Sequence, residues 1–367
     1  KRQVITPQCR YLLGRISSSN LDRFEGPRNE KRLLIMEKIV LNQLSIGYGS
    51  EVLAKDISTT IEPGDVIALI GENGKGKTTL LHTILGMEKP ISGQCLINNT
   101  PIAHLQLSEK AKKLSVVLSR KIDLQQFTVF ELVGLGRTPY TSWSGKLTSE
   151  DISIVEKAIS TVGLEHLSNR SITALSDGER QRAMIAKALA QDTPFIFLDE
   201  PTAHLDLNNR VGLLHLLRKL AQEQQKAILF STHELELAFQ MADQLWVIGP
   251  DKKLVQGCPE QLAIEGEINR VFDNPNIHFI SSQGRFHFEQ TTKLSIQLSC
   301  PEKWRVLLVN ALGKINYRIS DQAQLHFNIG DNLQVRLSGE GVPEKEYPSL
   351  GEALRNLKSH SEGTNRA

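Results

Sequence analysis

The sequence of 367 residues has only four cysteines, Cys9, Cys95, Cys258 and Cys300, far apart and without a C-x-x-C pair. Neither a disulfide framework nor a zinc site is expected, and the usage fits a reducing cytosol. No run of 18 or more apolar residues occurs. No helical membrane span is expected, so a membrane role has to run through a partner. An excess of one charge is also missing. The 43 Lys and Arg nearly balance 41 Asp and Glu, and a net +2 gives no global support for nucleic acid or lipid as a partner. There is no internal repeat and no long heptad run. Composition is ordinary for a globular protein, and the length suits a main domain plus a smaller one.

The charge is unevenly spread. Residues 1–35 carry eight Lys and Arg against three acids, a net of +5, which leaves −3 for the rest. This stretch is polar and weakly patterned (Ser17-Ser18-Ser19-Asn20, Gly26-Pro27). It reads as disorder or as a mis-assigned start upstream of Met36, with a targeting or membrane-touching arm as the second reading. It lacks the 7–15-residue apolar core of a secretory signal.

Strands follow at Ile39–Leu41 and Ile57–Ile61, with a turn near Gly47-Tyr48-Gly49. Val66–Ile70 is a continuous apolar run, as a buried strand should be. It enters Gly71-Glu72-Asn73-Gly74-Lys75-Gly76-Lys77-Thr78, and residues 78–85 continue as a helix. Strand, G-x-x-x-x-G-K-T and helix in that order make a phosphate-binding loop. Glycines let backbone N–H groups converge on phosphate, and the helix N-terminus adds positive potential. Lys77 supplies a compact cation for the β- and γ-phosphates. The Thr78 hydroxyl is a ligand for Mg²⁺, assisted by Thr79.

A second apolar strand ends in two acids, Phe195-Ile196-Phe197-Leu198-Asp199-Glu200. At the strand's C-terminal end Asp199 faces the loop and can hold Mg²⁺ through water. Glu200 is placed to be the general base that orients the attacking water. Leu175-Ser176-Asp177-Gly178-Glu179-Arg180 has two compatible readings. Ser176 and Glu179 form an S-x-x-E capping box. A capped helix N-terminus is also an anion site, and here the phosphate would come from a second copy.

These motifs resemble those of the ATPase subunits of ATP-binding cassette (ABC) transporters, over roughly residues 37–262. GENGKGKT matches the family's Walker A, LSDGER its signature and FIFLDE its Walker B. Ala203-His204-Leu205-Asp206 resembles the D-loop, and His233 in Ser231-Thr232-His233-Glu234 matches the γ-phosphate-sensing histidine. Tyr48 matches the aromatic that stacks on adenine; as a bare residue it reads as packing. The chain departs from the family at two positions. Ser119 stands where a glutamine is usual, with Gln125 and Gln126 six and seven residues on, and Asp177 stands where glycine is usual. The implied fold is α/β: a P-loop ABC ATPase domain with a mostly parallel sheet core, an antiparallel β subdomain and a helical signature subdomain, plus a small C-terminal α+β appendage. The implied cofactors are ATP and Mg²⁺. Each ATP would lie between one copy's loop and the Ser176, Gly178 and Glu179 of the other, with Asp206 nearby.

Leu132-Val133-Gly134-Leu135-Gly136-Arg137-Thr138-Pro139-Tyr140 resembles a stretch of importer ATPases for iron–siderophore, haem and cobalamin. By itself it is a loop following a short helix, or an ordinary helix end, with Pro139 as a stop and Arg137 exposed. The resemblance implies a homodimer on the cytoplasmic face of the inner (plasma) membrane, driving a multi-span permease that is served by a periplasmic or surface substrate-binding protein. No nucleic acid partner is expected. The alternative is a soluble ABC ATPase acting on ribosomes or DNA. Such proteins carry two cassettes or a long coiled-coil insertion, and one signature motif and no heptad run argue against it.

The expected boundaries are 36–264 for the ATPase domain, with a helical subdomain over about 105–190, then an appendage at 265–358 and a disordered tail at 359–367. In the helical part, Val155, Ala158, Ile159 and Val162 share one face and Thr148-x-x-Asp151 caps it. In the appendage, Leu294/Ile296/Leu298, Leu325/Phe327/Ile329 and Leu333/Val335/Leu337 alternate as half-buried antiparallel strands. Leu350 to Leu357 suits a short amphipathic helix. The appendage reads as a stabiliser of the dimer interface or as a regulatory module.

Overall fold

The computed structural model describes residues 37–72, 74–118, 127–143, 145–203, 205–272, 277–280, 285–288, 292, 294–332, 334–339 and 342–364. Expectations for residues 1–35, Asn73, Ser119, Gln125, Gln126, His204 and Leu333 lie outside them.

β1 (Ile39–Tyr48) and β2 (Glu51–Ile61) pair as a hairpin, and β3 (Val66–Ile70) leads into α1 (Lys77–Ile84). β4 (Ser92–Ile97), β5 (Thr100–Pro101), α2 (Leu107–Ala111) and β6 (Leu114–Val117) follow. A helical excursion contains α3 (Val129–Gly134), α4 (Ser149–Thr161) and α5 (Asp177–Ala190). The chain then alternates through β7 (Phe195–Leu198), α6 (Leu207–Gln224), β8 (Ala227–Thr232), α7 (Leu235–Met241), β9 (Gln244–Ile248) and β10 (Leu254–Gly257).

The main sheet has six strands in the order β10-β9-β3-β8-β7-β6, parallel except for β10. A four-stranded antiparallel sheet runs β2-β1-β4-β5. Strand alternation sorts the main sheet between two cores. Ile67, Leu69, Phe195, Phe197, Leu229 and Trp246 face the antiparallel sheet and α1. Val66, Ala68, Ile70, Ile196, Leu198, Ile228 and Phe230 face the second core, which α3–α7 share. Burial on both faces is why these strands read as unbroken apolar runs. β6 belongs to this sheet, so the helical excursion starts near residue 128 and not at 105. Thr148 caps α4 with Asp151, and Val155, Ala158 and Ile159 are buried, as the spacing predicts.

After α8 (Pro259–Ile264) and α9 (Glu267–Val271) comes a hairpin of β11 (Ile277–Ile280) and β12 (Arg285–Phe288). Ile268 and Phe279 are buried in the main core, with Phe272 and Phe286 packed against it. The expected boundary at 265 therefore moves to about 290. The next unit has its own core, built by β13 (Leu294–Ser299), α10 (Glu302–Gly313), β14 (Tyr317–Ile319), β15 (Leu325–Ile329), β16 (Val335–Gly339), β17 (Val342–Tyr347) and α11 (Leu350–Thr364). Its sheet runs β14-β13-β15-β16-β17, and β13 is parallel to both neighbours. The all-antiparallel expectation is corrected there. α10, with Leu308 and Leu312 buried one turn apart, is the crossover that makes parallel pairing possible. α11 continues to Thr364, so the expected tail starts too early.

Candidate functional site

The site lies at the C-terminal ends of three adjacent parallel strands. Ile70 of β3 is level with Thr232 of β8, and Leu198 of β7 with Phe230 of β8. The loops leaving these strands carry Gly71–Gly76, Asp199-Glu200 and His233, and sheet register brings them together.

Gly76 opens α1 at φ +98°, and a Cβ there would sit 3.0 Å from Leu53 Cβ. Only glycine meets both demands without strain. Lys77 is buried, and its ammonium donates to the carbonyls of Gly71 (2.7 Å) and Glu72 (3.1 Å). Burial pulls its pKa below the ordinary lysine value, while the carboxylates of Glu200 and Asp199 oppose that shift. A desolvated cation inside a glycine loop is a strong partner for phosphate oxygens.

The Thr78 hydroxyl lies 3.3 and 3.2 Å from the two Asp199 carboxylate oxygens. Asp199 is 4% exposed and accepts from Ser231 Oγ at 2.7 Å. Ser231 Oγ in turn accepts from the Glu200 N–H at 2.8 Å. Two hard oxygen donors from separate elements, one anionic, suit Mg²⁺ with phosphate and water completing the shell. Among the described residues there is no cluster of three His, Cys, Asp or Glu that would hold a metal without such help.

Glu200 has φ +48°, a left-handed backbone that non-glycine residues rarely adopt. The Ser231 bond holds it there. Its carboxylate is 4.0 Å from His233 Nδ1, and the side chains are 30% and 56% exposed. His233 is therefore no packed core histidine. The turn bearing it is fixed through Glu234, which pairs with Arg210, accepts from Thr202 Oγ1 at 3.4 Å and donates its N–H to Thr232 Oγ1 at 3.0 Å. Sequence reasoning missed Ser231, Arg210 and Thr202. The Ser-Thr pair ahead of His233 was the available signal for the first.

Tyr48 is 55% exposed, and its hydroxyl is 3.1 Å from Thr79 Oγ1. The ring is thus tied to the loop helix with an open face, and it is not core packing.

Ser176 caps α5 in the expected box. Glu179 N–H donates to Ser176 Oγ (3.3 Å), and Ser176 N–H donates to Glu179 Oε2 (2.8 Å). The bonds that the Glu179 carboxylate accepts from the Ser176 N–H and then from the Ser176 hydroxyl (2.9 Å) hold its pKa below the usual carboxylate range. A Cβ at Gly178 would lie 2.7 Å from Asn209 Cγ. Asn209 is itself tied to Asp206, which caps α6 by accepting from the Asn209 N–H at 2.8 Å. Asp206 thus has a structural duty at the α6 N-terminus, one loop away from Glu200.

Arg137 corrects the sequence reading. It is buried. Its Nε donates to Asp151 Oδ1 at 2.8 Å and its Nη1 to the Ala190 carbonyl at 2.9 Å. Its guanidinium carbon lies 4.0 Å from the Tyr140 ring centroid. A Cβ at neighbouring Gly136 would meet the Lys187 carbonyl at 2.3 Å. The importer-like segment therefore clamps α3, α4 and α5 together. The Arg137 hydrogen bond, then those from Thr148, lower the Asp151 pKa from 3.8 to about 2. A depressed folded-state pKa adds stability above the unfolded value and loses it as pH falls through the folded one. Arg137→Met should lower Tm at neutral pH, and its gap from the wild type should narrow between pH 4 and 2. A calorimetric gap constant over that window would contradict the pairing.

Residues 54–203 match the family model for ABC transporters. An uncharacterised ABC transporter ATP-binding protein of Methanocaldococcus jannaschii is 38% identical over 246 residues, 67% of this chain and 85% of that protein. A protein of Bacillus subtilis named as a probable siderophore transport system ATP-binding protein is 36% identical over 65% of this chain and 86% of its own length. The petrobactin import ATP-binding protein of Bacillus anthracis is 34% identical over 63% and 84%. Among solved structures, a bacterial ABC transporter cassette determined as a dimer matches at TM-score 0.53 and 26% identity, over 60% of this chain and 98% of that one.

Proposed function

The chain belongs to the ATP-binding proteins of ABC transporters, and on that premise we propose that it energises import of a metal chelate, an iron–siderophore, through a separate membrane permease. As a member of that family it binds ATP and is an ATPase coupled to transport. Relatives named for siderophore transport and petrobactin import, together with the importer-like segment at 132–140, support the cargo class. Among the described residues no helix is long and apolar enough to cross a membrane. The permease is then the membrane component, and this chain docks on its cytoplasmic face.

Two copies act as a head-to-tail dimer. In each, Lys77 and the Gly71–Gly76 amides hold the ATP phosphates, and Tyr48 offers its open ring to adenine. Thr78 and Asp199 are the residues that would hold Mg²⁺, which would offset charge on the phosphate oxygens. Glu200 takes the proton of the attacking water, and His233 contacts the γ-phosphate. What supports the dimer is the α5 N-terminus: Ser176 and Glu179 close the capping box there, Ser176 and Asp177 are exposed, and helix N-termini favour anions. Closure on the partner's γ-phosphate would move the α3–α5 unit and, through it, the permease. A groove of about 690 Å³ on that unit, lined by Phe130, Leu135 and Trp143 together with Glu131, Thr138 and Ser142, is a candidate seat for a permease helix.

The test is uptake of radiolabelled ferric siderophore, haem and cobalamin by cells lacking this protein. Ferric siderophore uptake should be lost and restored by the wild type but not by Glu200→Gln. Normal uptake of all three would reject the import reading.

A further inference from the structure

We infer that Phe279 is a positioning residue for hydrolysis, acting on His233 through α7. The helix α7 starts two residues after His233 and packs Leu235 and Ala238 into the main core. Its start is held by the Glu234 pairing with Arg210, and its end by Arg218, which donates to the Met241 carbonyl at 2.7 Å. A third constraint comes from the hairpin at 277–288. Phe279, 3% exposed, lies against Phe239 of α7 with ring centroids 5.2 Å apart. Phe286 stands edge-on to Phe279 at 5.4 Å, and Phe272 edge-on to Phe286 at 5.7 Å. The Phe286 N–H also donates to Glu236 Oε1 at 3.4 Å, on the first turn of α7.

The hairpin is itself anchored. The Asn269 side chain brackets the Phe279 backbone, accepting from its N–H at 2.6 Å and donating to its carbonyl at 3.1 Å. A seven-residue helix has little stability of its own, so packing fixes its position. The aromatic stack is thus a lever from residues 269–288 to the turn that carries His233. Removing it frees α7 to shift by the fraction of an ångström that the His233–Glu200 geometry does not tolerate. This rests on the reading of His233 given above.

The experiment is a double-mutant cycle on the full chain, measuring steady-state ATP hydrolysis. Phe279→Ala should lower kcat about tenfold, within the roughly 10²-fold that an ångström of misplacement can cost, and leave KM for ATP unchanged. Phe279→Leu, which keeps the cluster filled, should give a smaller loss of the same kind, and it carries the test should the alanine variant not fold. In a His233→Ala background either substitution should add less than about twofold, because coupled residues are non-additive. Equal losses in both backgrounds, a parallel rise in KM, or no loss in either variant would overturn the inference. If His233→Ala alone leaves kcat unchanged, the reading of His233 falls, and this inference with it. Additive losses on a sensitive His233→Ala background sink only the inference.

Discussion

Glu200→Gln should bind ATP as the wild type does and lose steady-state hydrolysis by about 10²–10⁴-fold, the usual worth of a positioned general base. The amide keeps the size of the carboxylate but cannot accept the water's proton. The groups assigned to binding keep their hydrogen-bond partners: Lys77 donates to the Gly71 and Glu72 carbonyls, and Thr78 lies beside Asp199. The strained backbone at φ +48° is held through the main-chain N–H to Ser231, which the substitution preserves. The loss should therefore appear in kcat and not in nucleotide affinity. With hydrolysis blocked, the ATP-bound dimer should persist instead of resetting. Near-normal steady-state hydrolysis by this variant would remove Glu200 from the mechanism.

Gly178→Val should leave ATP binding intact and lower turnover by at least about 10²-fold, the cost of losing a preorganised set of donors to the reacting group. The first atom of the new side chain would lie 2.7 Å from Asn209 Cγ, so Asn209 must move. Moving it disturbs the Asp206 cap, whose bonds to Asn209 are 2.8 and 2.9 Å. The variant's own phosphate loop is elsewhere and stays whole. Lys77→Ala fails in the complementary way, with an intact signature and a crippled loop. Mixing the two inactive proteins should restore activity, because a mixed dimer holds one pocket made of the two sound halves. Pockets built within single chains would give a mixture as inactive as its parts.

The phosphate loop and the acidic strand end were legible in the sequence for a physical reason. β3 and β7 are buried on both faces, so they read as unbroken apolar runs, with the glycine loop and Asp199-Glu200 directly after them. The caps at Thr148 and Ser176 were legible because a capping box is local, spanning three residues. The misses are non-local. Arg137 is buried through a carboxylate 14 residues away and a carbonyl 53 away, and nothing in the segment itself marks that. The boundary at 265 failed because Phe279 joins the main core through contacts with Phe239, forty residues back. Alternation in the appendage gave the inward faces, Ile296, Leu298, Phe327 and Ile329, correctly. It does not encode strand direction, so the parallel pairing of β13 escaped it.

Light scattering on Glu200→Gln, alone and beside its permease, weighs composite pockets most directly. Saturating Mg-ATP should raise the mass from the 41.0 kDa of one chain to that of two, and washing nucleotide away should reverse it. A single-chain mass with saturating nucleotide in both settings would contradict the account.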